Sequence, residues 1–443
     1  MLSIVANRSY RGKFVYELPE NVSEVYELYL EDYDWVEQKK NKKLHLHQTE
    51  YEALRSLFLN RNVEWDTLFT LFEKKKFSLN ALLMGEDFLN AVRECYQLRY
   101  PQVVFSDFLW TMRSIYLPLF LTLKMELPKA DLYHCVATGY AGVIGSMAKK
   151  GCGLMVSEHG IYTREREEEL IRAKWVGGIY KNIWIEQFKK MSLLAYRYAD
   201  QVTCLYKHAM ELQIELGCPA EKIKITPNGI DAKRFVRCLE EDRKEDDTVN
   251  VGAVLRIAPI KDVKTMIRAF AYAKKEIPKL ALWIMGPSDE EKEYAKECFE
   301  LVDLLGVEDV IFTGRVDVTE YLGKMDMTIL TSISEGQPLT ILESFAAKKP
   351  VIATDVGNCR GLIYGEGDSF GEAGIITHIM NVEEIAAAMV DLARHREKRI
   401  SMGENGYRRL KSRYLVEDMK ETYRQIYRQF EDAGKEKEKK GDA

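Results

Sequence analysis

Two glutamates, Glu335 and Glu343, lie eight residues apart where an apolar segment gives way to a predicted helix. The segment "MDMTILT", residues 325–331, reads as a strand, and "SISEGQP" then turns the chain into a helix whose first position suits Pro338. At about 1.5 Å per residue, Glu343 lies about 7 to 8 Å along that helix. The pair is placed to bind two hydroxyl groups of one long ligand while the helix amino terminus receives its negative part, although carboxylates at this spacing also arise by chance.

A second group of polar residues follows another predicted strand. In "AVLRIAPIKDVKTMI", Arg256 ends the strand, Lys261 comes five residues later, and Asp262 is placed as the N-cap of the next helix. An arginine fork and a lysine charge beside a helix amino terminus are suited to holding a diphosphate. The alternative is an ordinary solvated surface, since basic side chains are mostly exposed.

The elements that position these residues follow an α/β pattern. From residue 249, short apolar runs such as "VNVGAVLR", "ALWIMGP", "VIFTGR" and "PVIATDVG" alternate with helix-length segments, which predicts a parallel sheet covered on both faces. The first half repeats this pattern more faintly, in "DLYHCVATGYAG", "CGLMVSEHG" and "ADQVTCLY". Ligands of such sheets bind beyond the carboxyl ends of the strands, so two such domains facing each other would form a cleft.

The length of 443 residues also indicates two domains, because single cores stop growing at about 250 to 300 residues. The predicted organisation is an N-terminal domain at residues 1–235, a charged linker at 236–248, a C-terminal domain at 249–412, a helix at 413–430 that packs back on the N-terminal domain, and a disordered tail at 431–443.

Composition excludes several classes of function. With 64 basic and 69 acidic residues the net charge is -5, which leaves no overall field to attract nucleic acid. The eight cysteines are scattered singly and form no C-x-x-C pair, so we expect a reducing cytoplasm. No D-x-D motif lies near the predicted site, so we expect no bound metal. The stretch "FLWTMRSIYLPLFLTLKMELP" is interrupted by Arg113, Pro118 and Lys124, which predicts a buried helix and leaves a peripheral membrane contact open.

The segment "SEGQPLTILESFAAKKPVIATDVG" resembles the E-x7-E region of the retaining glycosyltransferases of family 4. Further stretches in the family's order are "KFVYELPENV", "DLYHCVATGYAG", "SEHGIYTRER" and "APIKDVKTMIRAF", which resemble the PelF group of cytoplasmic enzymes in Pel exopolysaccharide assembly. The resemblance covers roughly residues 10–430. It implies an α/β protein with the GT-B fold, in which two Rossmann-like, doubly wound domains face each other across a cleft.

The resemblance also implies a role for each polar side chain of the second domain. Arg256 and Lys261 would hold the diphosphate and stabilise the charge that develops on the leaving UDP. Glu343 would bind the ribose hydroxyls, and Glu335 would bind a hydroxyl of the donor sugar. No cofactor is expected, because the two basic residues take the part that a divalent cation plays in other transferases.

The first domain is expected to contribute His159, in "SEHGIYTRER", which would approach the donor sugar; the alternative is a hydrogen-bonded histidine at a strand end. Glu158 and the charged run at residues 163–169 read as the charged start of a helix, whereas the resemblance implies contacts with the acceptor. The remaining donor contacts implied by the resemblance are the main chain of Gly336, Gln337, Leu339 and Thr340 at the sugar and phosphate, and Gly314 and Val316 at the uracil.

The sequence departs from the family at its beginning. Family members usually begin with a strand, a glycine-rich turn of the "GGVSSW" kind and a helix, and nothing like this precedes "FVYELPENV". The segment "MLSIVA" corresponds to the second strand, so the first strand is expected to be absent or replaced by another element. Donor binding is then expected to be retained and catalysis to be impaired.

These observations predict a retaining, metal-independent glycosyltransferase that transfers a hexose or an N-acetylhexosamine from a UDP-sugar to a growing, Pel-like exopolysaccharide. Its expected partners are the UDP-sugar, the polysaccharide acceptor and an inner-membrane synthase complex, with no nucleic acid. Its expected location is the cytoplasm or the inner face of the membrane. Two alternatives remain open: a non-catalytic UDP-sugar-binding subunit of a synthase, and a UDP-sugar epimerase.

Overall fold

The computed structural model describes residues 1–14, 17–31, 44–240 and 248–441. The chain divides into two compact units. Unit 1 consists of residues 1–203, residues 211–224 and the chain from residue 434 on, and unit 2 consists of residues 204–210 and 225–433. Residues 225–235, which the sequence placed at the end of the first domain, therefore belong to unit 2.

Unit 1 contains two parallel sheets among its described residues. Strands β1 (Leu2–Val5) and β2 (Tyr26–Tyr29) pair with each other, with Leu2 opposite Tyr26. The second sheet has the order β3-β4-β5-β6 and contains the strands predicted from the apolar runs. Its strands are β3 (Leu132–Cys135), β4 (Gly153–Ser157), β5 (Gln201–Cys204) and β6 (Ile223–Ile225).

Helices fill most of the rest of unit 1. They are α1 (Gln48–Leu59), α2 (Trp65–Lys74), α3 (Leu79–Leu83), α4 (Glu86–Arg99), α5 (Phe105–Leu123), α6 (Gly139–Ala148), α7 (Tyr162–Arg172), α8 (Gly178–Tyr198) and α9 (Lys207–Glu215), which begins in unit 2. Helix α5 is the membrane-like stretch, and its Phe108, Ile115 and Leu119 are fully buried. It is a core helix, as predicted. No helix in the described part of the chain is long and apolar enough to cross a membrane.

Unit 2 is built on one parallel sheet with the strand order β12-β11-β10-β7-β8-β9. Its strands are β7 (Val249–Val254), β8 (Leu280–Met285), β9 (Val310–Gly314), β10 (Met327–Leu330), β11 (Val351–Thr354) and β12 (Gly374–Thr377). Strands β7 to β11 lie in the apolar runs quoted above, and β12 lies in a further run predicted as a strand, "AGIITHI". The order reverses between β7 and β10, where Met327 lies opposite Val251.

Helices cover both faces of this sheet, which confirms the doubly wound α/β fold. The helices of the unit are α10 (Val236–Glu240), α11 (Val263–Glu276), α12 (Lys292–Leu305), α13 (Leu339–Ala346), α14 (Cys359–Tyr364), α15 (Val382–Arg394), α16 (Arg396–Arg413) and α17 (Val416–Gly441), whose residues from 434 on belong to unit 1. One apolar cluster joins Phe270 and Met389 to the strands, and another joins Phe345 and Leu410. Burial of these side chains supplies the main driving force for folding of the unit.

Two segments differ from their predicted structure. The predicted linker begins with α10, whose Cys238 is buried and donates to the main-chain oxygen of Thr319 at 3.2 Å. Helix α17 continues to Gly441, whereas residues 431–443 were predicted to be disordered. Glutamate and lysine, which favour helix, make up seven of the thirteen residues of this tail, so residues 431–441 extend the helix that precedes them.

Candidate functional site

The polar residues of unit 2 meet where the strand order of its sheet reverses. Arg256 and Lys261 follow β7, and Glu335 follows β10, the neighbouring strand. Thr331 Oγ1 donates to the main-chain oxygens of Lys261, at 2.9 Å, and Asp262, at 3.1 Å. The amide of Ile333 donates to Ile260 at 2.9 Å. These bonds hold the two loops together at the carboxyl edge, the place where open α/β sheets bind ligands.

Lys261 and Glu335 form an ion pair in this site. Lys261 Nζ lies 2.5 Å from Glu335 Oε1, and the side chains are 21% and 11% exposed. The hydroxyl of Ser332 donates to the same carboxylate oxygen at 2.5 Å. Because the pair is shielded from water, it places a fixed positive and a fixed negative charge at the edge of the sheet.

Arg256 is exposed and pairs with a residue that the sequence analysis did not identify. Its Nη1 lies 3.0 Å from Glu290 Oε2, on the loop that follows β8. That loop approaches closely because of Gly286, where a Cβ would lie 1.8 Å from the oxygen of Leu255. An exposed pair of this kind contributes at most about 1 kcal/mol, so the guanidinium can exchange Glu290 for an anionic ligand at little cost.

Helix α13 presents the second glutamate of the E-x7-E segment. The helix begins at Leu339, and Pro338 is its N-cap with φ -70° and ψ 120°, so the prediction of Pro338 at the first helical position was wrong by one residue. Pro338 keeps an extended ψ and therefore stands outside the helical turn. The amide of Ile341 donates to Pro338, while Leu339 is exposed and Thr340 half-buried.

Glu343 lies one turn into α13 and is half-buried. Burial raises the pKa of its carboxyl above the ordinary value, and the nearby charge of Arg234 opposes the shift. Within the residues that the structure describes, no donor forms a hydrogen bond to this carboxylate. A half-buried carboxylate that accepts no hydrogen bond destabilises the folded chain. Side chains with this property are common at sites that bind a ligand.

Gln337 and Gly336 are fastened by residues that the sequence analysis missed. Gln337 is buried, and its Oε1 accepts from the amide of Asn228 at 2.7 Å. Gly336 accepts from the amide of Asn358 at 2.8 Å. Gly357 has φ +52°, and a Cβ there would lie 2.3 Å from the oxygens of Glu335 and Gly336. The glycine after an apolar strand in "ATDVGN" and the Asn-Gly pair in "TPNGID" were the available signals.

Gly314 is the last residue of β9, and Val316 lies in the turn that follows it. Gly314 has φ +70°, and its oxygen accepts from the amide of Gly286 at 2.9 Å. Val316 is half-buried against the apolar cluster that contains Met285. Strand β8 lies between β9 and β7, so this turn is two strands away from the point where the strand order reverses. Its contact with a uracil stays a prediction.

His159 lies in unit 1, so it is not among the residues that unit 2 brings together. It is exposed and follows the carboxyl end of β4. Its neighbour Glu158 is buried rather than a charged helix start, because donors surround it: Thr138 Oγ1 at 3.1 Å, the Tyr162 amide at 3.2 Å, Tyr196 Oη at 2.5 Å and Gln213 Nε2 at 2.9 Å. Burial nevertheless raises the pKa of Glu158.

Residues 247–395 match the family model described as "Glycosyl transferases group 1", and residues 1–221 match a domain of unknown function, DUF3492. The chain is 30% identical to the putative glycosyltransferase EpsD of Bacillus subtilis, over 66% of this chain and 76% of that protein. It is 22% identical to the MMP alpha-(1->4)-mannosyltransferase of Mycolicibacterium hassiacum, over 63% of this chain and 66% of that protein, so it spans less than two thirds of that relative's length.

A similar fold is found in the crystal structure of HepE from Anabaena in complex with UDP-glucose. The TM-score is 0.55 with 22% identity, and the match covers 68% of this chain and 79% of that one. At this identity the likeness shows the fold alone.

Proposed function

Because this chain belongs to the group 1 glycosyl transferases, we propose that it transfers a hexose or an N-acetylhexosamine from a UDP-sugar to a growing, Pel-like exopolysaccharide. The proposed mechanism is metal-independent and retaining: the acceptor hydroxyl attacks the anomeric carbon on the face that UDP leaves. The proposed location is the cytoplasm, beside an inner-membrane synthase complex.

The observation that carries this proposal is the state of Glu343. Its carboxylate is half-buried, its pKa is raised by burial, and no hydrogen bond to it forms within the described residues. A ribose supplies two hydroxyl donors, which would satisfy the oxygens that the folded chain leaves without donors. Hydrogen bonds to a charged acceptor of this kind contribute about 1.5–3 kcal/mol.

Lys261, in its pair with Glu335, also supports the proposal, because it supplies a positive charge for the diphosphate. Sugar transfer leaves negative charge on the diphosphate, and a preorganised cation stabilises that charge as it develops. Lys261 is held by Glu335 and by the Thr331 bond to its main chain, so little reorganisation is needed. Arg256 would add a second cation after leaving Glu290.

Calorimetric titration of UDP, UDP-glucose and UDP-N-acetylgalactosamine tests the proposal. We expect UDP to bind, and Arg256→Ala and Glu343→Ala to weaken it, while Glu293→Gln, an exposed acid on α12, leaves the affinity unchanged. A folded protein that binds no UDP would refute the donor site. UDP binding without sugar transfer to any acceptor would favour the non-catalytic subunit, and sugar interconversion without acceptor would favour the epimerase.

A further inference from the structure

A cavity of about 810 Å³ opens in unit 1 near the amino ends of strands β3 and β4, whereas His159 follows the carboxyl end of β4. It lies among three chain segments: residues 75–77 after α2, residues 124–130 between α5 and β3, and residues 150–152 between α6 and β4. The last two lead into the amino ends of their strands. Since ligands of the reaction bind beyond the carboxyl ends, this cavity is separate from the site expected for donor and acceptor. Its volume is typical of a small-molecule site.

The floor of the cavity is apolar and firmly packed. Phe72 and Leu123 are buried, and Phe77, Tyr133 and Met147 are half-buried beside them. The rings of Phe72 and Phe77 meet edge to face with centroids 5.3 Å apart. A floor of this kind offers an apolar ligand a preformed surface and removes it from water.

The rim of the cavity is positively charged, although the whole chain has a net charge of -5. Five lysines and two glutamates line it: Lys75, Lys76, Lys124, Lys129 and Lys150, with Glu73 and Glu126. Two of the lysines form ion pairs, Lys75 with Glu50 at 2.6 Å and Lys150 with Glu73 at 3.0 Å. Outside these pairs the rim keeps three lysines, Lys76, Lys124 and Lys129, against one glutamate, Glu126, which is an excess of two positive charges around an apolar floor.

Lys124 connects the rim to the floor. Its ammonium group donates to the main-chain oxygen of Phe77 and lies 4.9 Å from the centroid of the Phe77 ring. Burial lowers the pKa of this lysine, which indicates an amine partly removed from water. An anion bound beside it would meet a counter-charge that has already lost part of its hydration.

We propose that this cavity binds an amphipathic anion with a single apolar chain, whose tail lies on Phe72 and Phe77 and whose phosphate or carboxylate head lies at Lys76, Lys124 and Lys129. The charge complementarity of the rim selects the anionic head, and the floor selects the apolar chain. Because the cavity lies away from the carboxyl edge of the sheet, such a ligand would bind without occupying the place of donor or acceptor.

The chain carries its own reporter of occupancy. Cys152 lines the cavity and is half-buried, whereas the other seven cysteines are buried. The test is the rate of Cys152 alkylation by iodoacetamide at mildly alkaline pH, followed by peptide mass spectrometry, with decyl phosphate below its micellar concentration as the probe. We expect decyl phosphate to slow the reaction at least about tenfold, and inorganic phosphate or decyl maltoside at the same concentration to leave it unchanged.

Equal protection by decyl maltoside would overturn the proposal, since the apolar floor alone would then explain binding. Equal protection by inorganic phosphate would overturn it as well, since a plain anion site would suffice, and so would the absence of protection by decyl phosphate.

Variants of exposed residues test the role of the rim without disturbing the core. Lys76 and Lys129 are both exposed, and the double variant Lys76→Ala/Lys129→Ala should raise the concentration of decyl phosphate needed for half protection by about three- to tenfold. The control is Lys74→Ala/Lys420→Ala, which removes the same charge from exposed positions that do not line the cavity. An equal effect of the control, or no effect of the rim variant, would contradict the proposed head-group site.

Discussion

Replacing Glu343 by glutamine separates a binding role from a structural one. In the folded chain, burial raises the pKa of Glu343, and no described residue donates a hydrogen bond to it. A carboxyl whose folded pKa lies above its unfolded value weakens the folded state at neutral pH, and this penalty disappears as the pH falls through the folded pKa. Glu343→Gln should therefore unfold at the same urea concentration as the wild type or at a higher one.

The affinity for UDP should change in the opposite direction. If the carboxylate accepts ribose hydroxyls, its neutralisation removes hydrogen bonds to a charged acceptor worth about 1.5–3 kcal/mol. At 1.4 kcal/mol for each factor of ten, the dissociation constant of UDP should rise about 10- to 150-fold. Isothermal calorimetry measures this change, and urea denaturation of the same samples measures the stability.

Asp368 provides the matched control in the same unit. Its pKa is lowered, chiefly by the hydrogen bonds from Arg409, whose Nε and Nη2 each lie 2.8 Å from one of its carboxylate oxygens. Asp368→Asn should lower the free energy of unfolding and leave UDP affinity unchanged in the folded protein. The reasoning about Glu343 is refuted if Glu343→Gln behaves like this control, losing stability while keeping its affinity.

Three further predictions concern residues around the same sheet. Lys261→Met should weaken UDP binding, measured by calorimetry, about 10- to 100-fold. Equal weakening by Lys264→Met, which removes a half-buried lysine of α11 paired with Glu297, would point to a general charge effect instead. Arg409→Met should lower the free energy of unfolding, measured in urea, by about 3–5 kcal/mol, because it leaves Asp368 buried without its partner. The stabilisation of the wild type by this pair should fade as the pH falls below about 4, where Asp368 becomes protonated. A difference in unfolding free energy between wild type and variant that does not change with pH would contradict this prediction. Gly357→Ala should lower the free energy of unfolding by at least about 1–2 kcal/mol and weaken UDP binding, because φ is +52° and the new Cβ would meet the main-chain oxygens of residues 335 and 336. Unchanged stability and UDP affinity in this variant would show that the loop relaxes around the new methyl group.

Sequence alone predicted the strands of unit 2 because helices cover the sheet and the central strands β10 and β11 are fully buried. Parallel strands covered by helices read as nearly continuous apolar runs, and residues 249–377 contain one such run for each of β7 to β12. The same reasoning failed for the C-terminal tail. There the high charge indicated a solvated segment, but the local helix propensity of residues 431–441 continues an existing helix.

The contacts that fix the site come from far along the chain and gave weak local signals. Gln337 is fastened by Asn228, and the loop around Gly336 by Gly357 and Asn358. Arg256 meets Glu290, one of many acidic residues in a charged segment. Each partner is an ordinary loop residue in sequence, because its importance depends on which strand ends lie side by side.

The ion pair between Lys261 and Glu335 shows which part of the site local sequence does not predict. The two residues are 74 positions apart, and each was singled out for its place after an apolar strand. They meet only because β10 pairs with β7 rather than with β9, its predecessor in the chain. That reversal of strand order creates the crevice in which open α/β sheets bind ligands. The local rule therefore identifies which residues stand at the carboxyl edge, whereas the sheet order decides which of them lie together, and the order is set by packing of the whole unit.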